Sequence, residues 1–332
     1  LNFSHELYGV KVITEDMELM SIFEEISKKL NIRVTDVSQL MTKVTQEEWD
    51  RGNQLGKSDH SDSAFYSVLL GSYSCDIIDY LLRDSLFTGT GYGDIDWQRL
   101  LLCSRLHKNE VALEKRAEDS LCAFLLARLF MFASVYYHKT SRAFDRVAET
   151  FLLRTKEQIK WAEEVKDVKR YISYDEESIL QHRDLVGIEE RDYLLHRKNP
   201  FSAVYEERIP MMKSRGENKA TELARQYLRS LRKTVAEELS KSKIPESAFC
   251  VDTPNIHLNP MLQSDEICIV DTSKSPYAEV RRSIHKFPWF DIPHYAWIVR
   301  LYVNKSHAKS AEEIKEVFKK TMEGGSQKTS FL

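Results

Sequence analysis

The sequence predicts a mainly α-helical protein with a smaller α+β region at its C-terminal end. Apolar residues recur at helical spacing through most of the first 200 residues, as between Glu15 and Leu30. Beyond residue 200, runs rich in aromatic and β-branched residues are typical of strands, as between Ala296 and Val303. A length of 332 residues suits about two domains. We therefore predict a helical domain over residues 1–200, and a charged helix with an α+β subdomain over residues 201–332.

Several stretches carry the prediction for the helical part. Helices are predicted at Glu15–Leu30, Ala64–Asp84, Asp96–Leu106 and Asp119–Leu153, and a turn at Thr88–Asp94. The fourth helix is apolar nearly all round at its start, which is typical of a helix that runs through the core. The charged stretch Lys156–Lys169 indicates a solvated helix or connector, and the capping-box spacing of Ser173–Glu176 predicts the start of a short helix.

The sequence pattern of the C-terminal part predicts one helix, three strands and a final helix. These are predicted at Glu217–Leu239, Ala248–Asp252, Glu266–Asp271, Ala296–Val303 and Ser310–Met322. This order favours an α+β module attached to a helical body.

Net charge, cysteine spacing and hydrophobicity limit the partners and the location expected of this protein. The net charge of −3 gives no basic excess that would indicate a nucleic-acid partner. The five cysteines are scattered without a C-x-x-C pair, so we expect reduced thiols in a cytoplasmic protein, or a nuclear one in a eukaryote. The apolar run Leu121–Tyr137 is 17 residues long and carries Arg128 in its middle, so it predicts a core helix and no membrane partner.

One polar stripe on a predicted helix could carry chemistry. Asp76, Tyr80, Arg83 and Asp84 lie at positions i, i+4, i+7 and i+8, along one helix face. One interpretation is that this stripe is simply the solvent-exposed face of an amphipathic helix. The alternative is that the carboxylates reach into a helical bundle, where they need donors, a cation or a hard metal ion.

A second polar set lies on the predicted core helix. It consists of Arg128, Tyr136, His138 and Lys139. An arginine within such an apolar run either pairs with an internal carboxylate, such as Asp76 or Asp84, or binds an anion. A phosphate-bearing ligand would unite both sets, whereas His5-Glu6 alone is most simply a surface pair.

These residues resemble those of a known superfamily. Asp76–Ser85 followed by Thr88–Asp96 resembles the second metal motif of HD-domain phosphohydrolases, in the deoxynucleoside triphosphate triphosphohydrolase-like branch that includes the sterile-alpha-motif and HD-domain dNTPases. Arg128 with Tyr136-Tyr-His-Lys139 is similar to a later helix of that branch, and His5-Glu6 to the step after its His-Asp motif. The tail, from Val251-Asp-Thr-Pro254 to Arg300-Leu-Tyr-Val303, resembles its C-terminal subdomain. The implied fold is an HD-domain helical bundle with a smaller C-terminal α+β subdomain.

The resemblance implies a divalent metal ion, such as Mn, Mg, Fe, Ni or Zn, as cofactor. In the family a first His, a His-Asp dyad and a distal Asp hold the ion, and the distal Asp corresponds to Asp76. None of the ten histidines is followed by Asp. We therefore expect the chain to be N-terminally truncated, with the dyad encoded before Leu1.

The resemblance also implies roles for individual side chains. His5 would act as a catalytic residue near the attacked phosphate. The substrate-binding residues would be Tyr80, Asp84, Arg128, Tyr136, His138 and Lys139. Among them, Tyr80 would stack on the sugar and Asp84 would accept from the 3′-hydroxyl. Arg128 and Tyr136 would contact the phosphates.

The function implied is metal-dependent hydrolysis of a nucleotide, a dNTP cleaved to deoxynucleoside and triphosphate. Some relatives carry a Lys directly after the metal Asp, where this chain has Ile77. That difference favours an alternative, an HD-type phosphatase or phosphodiesterase acting on another phosphorylated small molecule. A second alternative is a non-catalytic HD protein that binds nucleotide or nucleic acid. Relatives self-associate, so a homo-oligomer, dimer or tetramer, is expected.

Overall fold

The computed structural model describes residues 5–34, 37, 68–69, 71, 73–108, 110–185, 187–211, 217–257, 266–274, 278–283, 286–287, 291–293 and 295–326. Within these ranges the chain is mainly helical, as predicted, and it also contains two small sheets. The polar stretch Gln46–Ser63, whose glycines and Ser-Asp repeats predict a loop or mobile surface, lies outside the described residues.

The first half of the chain is built of helices. They are α1 His5–Glu15, α2 Met17–Leu30, α3 Cys75–Thr88, α4 Trp97–Leu102, α5 Glu118–Met131 and α6 Lys139–Ile159. Side-chain caps fix two starts: Asp16 accepts from backbone amides at the start of α2, and Ser74 does so for α3. The left-handed conformation of Gly89, with φ of 69°, ends α3.

The predicted single helix Asp119–Leu153 is instead two helices joined by a π-helical turn, Phe132–Tyr136. The defining bond runs from the Tyr137 backbone N–H to the Phe132 carbonyl over 2.8 Å, a separation of five residues. Apolar spacing over 35 residues could not reveal one inserted residue, because both flanking helices keep their apolar faces.

Shorter helices and two long ones complete the helical content. They are α7 Trp161–Glu164, α8 Val168–Ser173, α9 Glu176–Leu180, α10 Glu189–Leu195, α11 Glu217–Lys241 and α12 Ala311–Ser326. The predicted cap Ser173 is the last residue of α8, and Asp175 caps α9 in a reciprocal box with Ser178. The predicted position was therefore wrong by two residues, although a short helix does begin there.

One sheet joins strands from both halves of the sequence. Its strands are β1 Ser104–His107, β2 Glu110–Glu114, β6 Glu266–Asp271 and β7 Ala278–Ser283, in the order β1-β2-β6-β7. The β2–β6 pair is parallel and the other pairs are antiparallel. Ser104–Leu106 was predicted as helix; the structure makes it a strand because tertiary pairing outweighs local apolar spacing. The sheet crosses residue 200, and the division into two domains there stays a prediction.

The second sheet carries the C-terminal core. Its strands are β3 Phe201–Met211, β4 Phe249–Asp252, β5 Asn255–His257 and β8 Tyr295–Asn304, with order β3-β8-β4 and β5 also paired to β8. Sequence patterning missed β3, which contains Pro210 and a bulge between Ala203 and Tyr205. A proline is tolerated there because β3 is an edge strand. Helices α11 and α12 cover this sheet through buried Leu231, Val235 and Phe318.

The core of the helical part surrounds α5. Lys115–Tyr136 is the one stretch of the described residues that is long and apolar enough to cross a membrane by length and composition. Its residues Leu121, Phe124 and Leu125 are nevertheless buried in the protein, against α3 and strand β6. Packing as a core helix agrees with the sequence prediction.

A close approach of backbone to α3 gives a stability prediction. A Cβ on Gly93 would lie 2.6 Å from the Ser85 Cβ and would also strike the Leu81 carbonyl oxygen of α3. Gly93→Ala is therefore expected to lower the free energy of unfolding by about 1–3 kcal/mol, measured by urea denaturation. Gly91→Ala is the control, because a Cβ there meets nothing within 4 Å. Equal stability of the two variants would contradict this packing.

Candidate substrate-binding site

Helix α3 presents the predicted polar stripe toward one side and its apolar side chains toward the core. Ile77, Ile78 and Leu81 are buried, whereas Asp76 is exposed and Tyr80 and Asp84 are half-buried. Asp76 lies in the first turn of α3, where unpaired backbone N–H groups favour a carboxylate. The stripe is therefore not a fully solvated face, since it becomes progressively more enclosed toward Tyr80 and Asp84.

Helix α5 and the π-helical turn supply the opposing side chains. Arg128 is 4% exposed in the last turn of α5, and Tyr136 ends the π-helical turn. The guanidinium carbon of Arg128 lies 5.4 Å from the ring centre of Phe132, a cation–π contact. Phe132 in turn packs edge-on against Tyr136, with ring centres 4.8 Å apart.

The two helices meet through tyrosines. The Tyr136 hydroxyl donates a hydrogen bond of 2.8 Å to Oδ2 of Asp84. The rings of Tyr80 and Tyr136 pack edge to face, 6.0 Å apart and inclined at 76°. The structure thus brings Tyr80, Asp84, Arg128 and Tyr136 together, and their binding of a shared ligand stays a prediction.

The Tyr80 phenol lies within a field of mixed charge. Burial raises the pKa of Tyr80, while the charge of Arg128 and its hydrogen bond oppose that rise. Asp76 and Asp84 raise the pKa further through their negative charges. Burial lowers the pKa of the Arg128 guanidinium, and the neighbouring tyrosines oppose this. An arginine remains cationic in proteins, so Arg128 keeps a positive charge next to Tyr80 of the stripe.

Arg83 lies at the exposed edge of this cluster, whereas the described contacts of His138 and Lys139 lie elsewhere. Arg83 pairs with Asp79 at 3.0 Å and approaches Asp84 at 4.0 Å, on the exposed side of α3. His138 caps α6, its Nδ1 accepting from the Thr140 N–H over 3.3 Å. The Lys139 carbonyl accepts from the Tyr302 hydroxyl at 2.8 Å. The roles of His138 and Lys139 in substrate binding stay predictions, as does that of His5, whose backbone begins α1 and whose side chain lies outside the described part.

The residue that sequence reasoning missed is Phe132. It lies four residues after Arg128 and four before Tyr136, the spacing at which helical side chains meet. That spacing was available in the sequence, but an aromatic in an apolar helix gives no signal by itself. In the structure, the Arg128 guanidinium lies against the Phe132 ring.

The described residues do not complete a metal site around Asp76. Of the described His, Cys, Asp and Glu side chains, the one group whose ligand atoms lie close together is formed by His107, Cys268 and Glu279, elsewhere in the fold. Among the described residues, Asp76 is thus a carboxylate outside any such group. Its assignment as a metal ligand stays a prediction.

Comparison with known proteins places the chain in a family. Residues 95–273, more than half of the chain, match the family described as "HD associated region", and the chain belongs to it. This membership confirms the HD-domain relationship at the level of the superfamily.

Two relatives cover part of the sequence. One stretch of 135 residues is 24% identical to the uncharacterized protein YwfO of Bacillus subtilis, covering 40% of this chain and 31% of that protein. Another of 157 residues is 30% identical to an uncharacterized protein of Methanocaldococcus jannaschii, covering 46% of this chain and 28% of that protein. The chain thus spans less than a third of either relative.

Solved structures show the same fold over most of the chain. A hypothetical protein from Aquifex aeolicus aligns with a TM-score of 0.56 at 19% identity, over 94% of this chain and 75% of that one. A phosphohydrolase from Bacteroides thetaiotaomicron aligns with a TM-score of 0.54 at 18% identity, over 91% and 76%. The predicted mainly α fold of HD phosphohydrolase type is confirmed.

The Tyr136–Asp84 bond gives a prediction for alkaline pH. Burial, followed by the bond to Asp84, raises the pKa of Tyr136 above its ordinary value of 10. A phenol whose pKa is raised by folding stabilises the protein below its unfolded pKa, and this contribution declines as pH rises past about 10. Tyr136→Phe is therefore expected to cost about 1 kcal/mol of unfolding free energy at neutral pH, and less above pH 10.

The measurement is denaturant unfolding of wild type and variant at several pH values. Tyr92→Phe is the matched control, since Tyr92 is exposed and stacks on Phe130. A difference between wild type and Tyr136→Phe that is the same at pH 7 and pH 11 would contradict the proposed origin of the pKa shift.

Proposed function

We propose that the protein is a metal-dependent phosphohydrolase that acts on nucleotides, and that its substrate is a dNTP cleaved to deoxynucleoside and triphosphate. The observation that carries the proposal is the enclosure of a buried guanidinium, two tyrosines and a carboxylate between α3 and α5. A nucleotide offers complementary groups to each, namely phosphates, a sugar ring and a sugar hydroxyl.

The phosphate side of the proposed site centres on Arg128. Burial makes the guanidinium a strong partner for an anion, because charge interactions strengthen where water is excluded. The Phe132 ring lies against the guanidinium, and a planar guanidinium recognises phosphate oxygens through the N–H groups along its edge. Tyr136 lies against Phe132 and can turn its hydroxyl from Asp84 to a phosphate oxygen. In this role Arg128 would stabilise charge that develops on the phosphates in the transition state.

The sugar side centres on Tyr80 and Asp84. Edge-on packing against Tyr136 fixes the Tyr80 ring, and a fixed ring can stack on a sugar and exclude a 2′-hydroxyl. Oδ2 of Asp84 accepts from Tyr136, so its other oxygen can accept from a 3′-hydroxyl. These two residues lie one helical turn apart on α3 and therefore face the same ligand.

Asp76 would contribute one carboxylate to a divalent metal ion at the N-terminal end of the stripe. Such an ion supplies Lewis-acid polarisation of a phosphoryl oxygen. The remaining ligands are proposed from the family resemblance, as are the roles of His5, His138 and Lys139. The chain itself orients the substrate and neutralises its phosphates.

One observation favours a second candidate, an HD-type phosphatase or phosphodiesterase with a smaller substrate. Ile77, which stands where some relatives have a phosphate-binding Lys, is 5% exposed and packs into the core. The site therefore has one cation fewer for a triphosphate. Hydrolysis of a monophosphate or a phosphodiester in preference to dNTPs would support this candidate.

Two further features of the protein are proposed with the function. We propose a homo-oligomer, dimer or tetramer, supported by the exposed side chains of Leu86, Phe87 and Leu102. A cytoplasmic or nuclear location is supported by the cysteines, which are all free thiols and, apart from Cys75, buried.

The metal role of Asp76 can be tested within α3. Asp76→Ala is expected to lower metal-dependent kcat by about 100-fold or more, because a metal ligand is lost. Asp79→Ala is the matched control, an exposed aspartate of the same helix that pairs with Arg83. The assay is a nucleotide panel with Mn²⁺, Mg²⁺ or Ni²⁺, analysed for triphosphate, pyrophosphate and phosphate. Full activity of Asp76→Ala would contradict the assignment.

The sugar role of Tyr80 predicts a change in selectivity. Tyr80→Ala is expected to reduce the ratio of kcat/KM for dNTP over NTP by about tenfold, because a lost steric contact with a hydroxyl is worth roughly that factor. The comparison is made on matched deoxy- and ribonucleotides, with Tyr92→Ala as control. An unchanged ratio would remove Tyr80 from the sugar role.

A further inference from the structure

The outer face of the β1-β2-β6-β7 sheet carries a cluster that the proposed function does not use. Side chains alternate along β6, so Ile267 and Ile269 enter the helical core while Cys268 and Val270 lie on the opposite face. Cys268 pairs with Arg281 of β7, and His107 of β1 pairs with Glu110 of β2. The sheet therefore brings together residues as distant in sequence as His107 and Glu279, which are 172 positions apart.

Three of these side chains place metal-binding atoms close together. A ring nitrogen of His107, the sulfur of Cys268 and a carboxylate oxygen of Glu279 all lie within 4.8 Å of one another. Nε2 of His107 and Oε2 of Glu279 lie 3.2 Å apart. Cys268 is 1% exposed, and the side chains of His107 and Glu279 are 19% and 23% exposed. Solvent therefore reaches His107 and Glu279 but scarcely reaches Cys268.

Cationic side chains contact the Glu279 carboxylate of the cluster. The Lys108 ammonium contacts Oε2 of Glu279 at 2.5 Å. Lys108 is largely exposed and belongs to the β1–β2 turn, so its long side chain can leave this position at little cost. Arg281 is shared between Glu110, with an Nη1–Oε2 distance of 2.9 Å, and Glu279, whose Oε1 lies 3.4 Å from Nε of Arg281. A metal ion at the cluster would therefore replace Lys108 as a partner of Glu279.

The donor set selects the class of metal. One imidazole nitrogen, one sulfur and one carboxylate oxygen match the ligands of Zn²⁺, while Mg²⁺ and Ca²⁺ prefer oxygen alone. Cys268 would bind such an ion as a thiolate, so its thiol proton would be released on binding.

We propose that His107, Cys268 and Glu279 bind one Zn²⁺-class ion in a second metal site, separate from the α3 stripe. On binding, the Cys268 S–H bond breaks, a sulfur–metal bond forms, and the proton passes to solvent. The ion would join β1, β6 and β7, and so fasten the hairpin of the first half of the chain to the C-terminal strands. This proposal does not depend on the proposed hydrolase function.

The test is titration of the metal-free chain with Co²⁺, a spectroscopic substitute for Zn²⁺. Wild type is expected to bind one equivalent with a near-ultraviolet band from thiolate-to-cobalt charge transfer, and Zn²⁺ is expected to abolish the band by displacement. Cys268→Ala should lose the band. His107→Gln, which keeps a polar side chain, should weaken Zn²⁺ binding at least tenfold in competition with a chromophoric chelator.

Two controls separate this site from other sources of signal. Cys122→Ala removes another buried cysteine, and Asp76→Ala alters the proposed catalytic metal site; both should retain the band and the affinity. Circular dichroism confirms that each variant is folded, and His107→Gln provides the test if Cys268→Ala is not. Absence of the thiolate band in wild type, or its persistence in Cys268→Ala, would overturn the proposal. An unchanged affinity in His107→Gln would do the same.

Discussion

A buried ion pair between α6 and β4 holds the two parts of the fold in register. Asp252 of β4 is 1% exposed, and Arg142 of α6 meets both of its oxygens, at 3.0 and 2.6 Å. Arg146 approaches the same carboxylate at 3.5 Å. Removing one partner from such a pair typically costs about 3–5 kcal/mol, because the other charge stays buried. Helix α6 therefore has one well-defined position against the C-terminal sheet.

The position of α6 against the C-terminal sheet determines where the π-helical turn ends and which way the Tyr136 side chain points. Tyr137, the next residue, is held by the Arg142 guanidinium over its ring and by a 3.2 Å hydrogen bond from its hydroxyl to the Asn255 carbonyl. Because Tyr137 is anchored toward the sheet, Tyr136 faces α3 and reaches Asp84. The inserted residue of the π-helical turn thus directs two adjacent tyrosines to different sides. Such turns are frequent at functional sites because they redirect side chains without ending the helix.

The sequence predicted side chains within one helix better than contacts between distant segments. The stripe of Asp76, Tyr80 and Asp84 follows from the helical period alone, and so does its amphipathic setting. The π-helical turn and strand β1 could not be predicted, since each depends on partners far along the chain: β4 and β5 for the former, β2 for the latter. Phe132 was missed for a different reason, because a phenylalanine in a core helix is explained by packing before any contact with a cation is known.

The parallel pairing of β2 with β6 makes the candidate site depend on residues from the C-terminal half. Ile267 and Ile269 of β6 pack in the same core as Ile77 of α3 and Phe124 of α5. Helix α3 carries the polar stripe and α5 carries Arg128. Strand β6 therefore packs against the two helices that form the candidate site. A close-packed core transmits a change of even one methylene group to its neighbours. The geometry between Asp84 and Tyr136 is therefore a property of both halves of the chain, although both residues lie in the first.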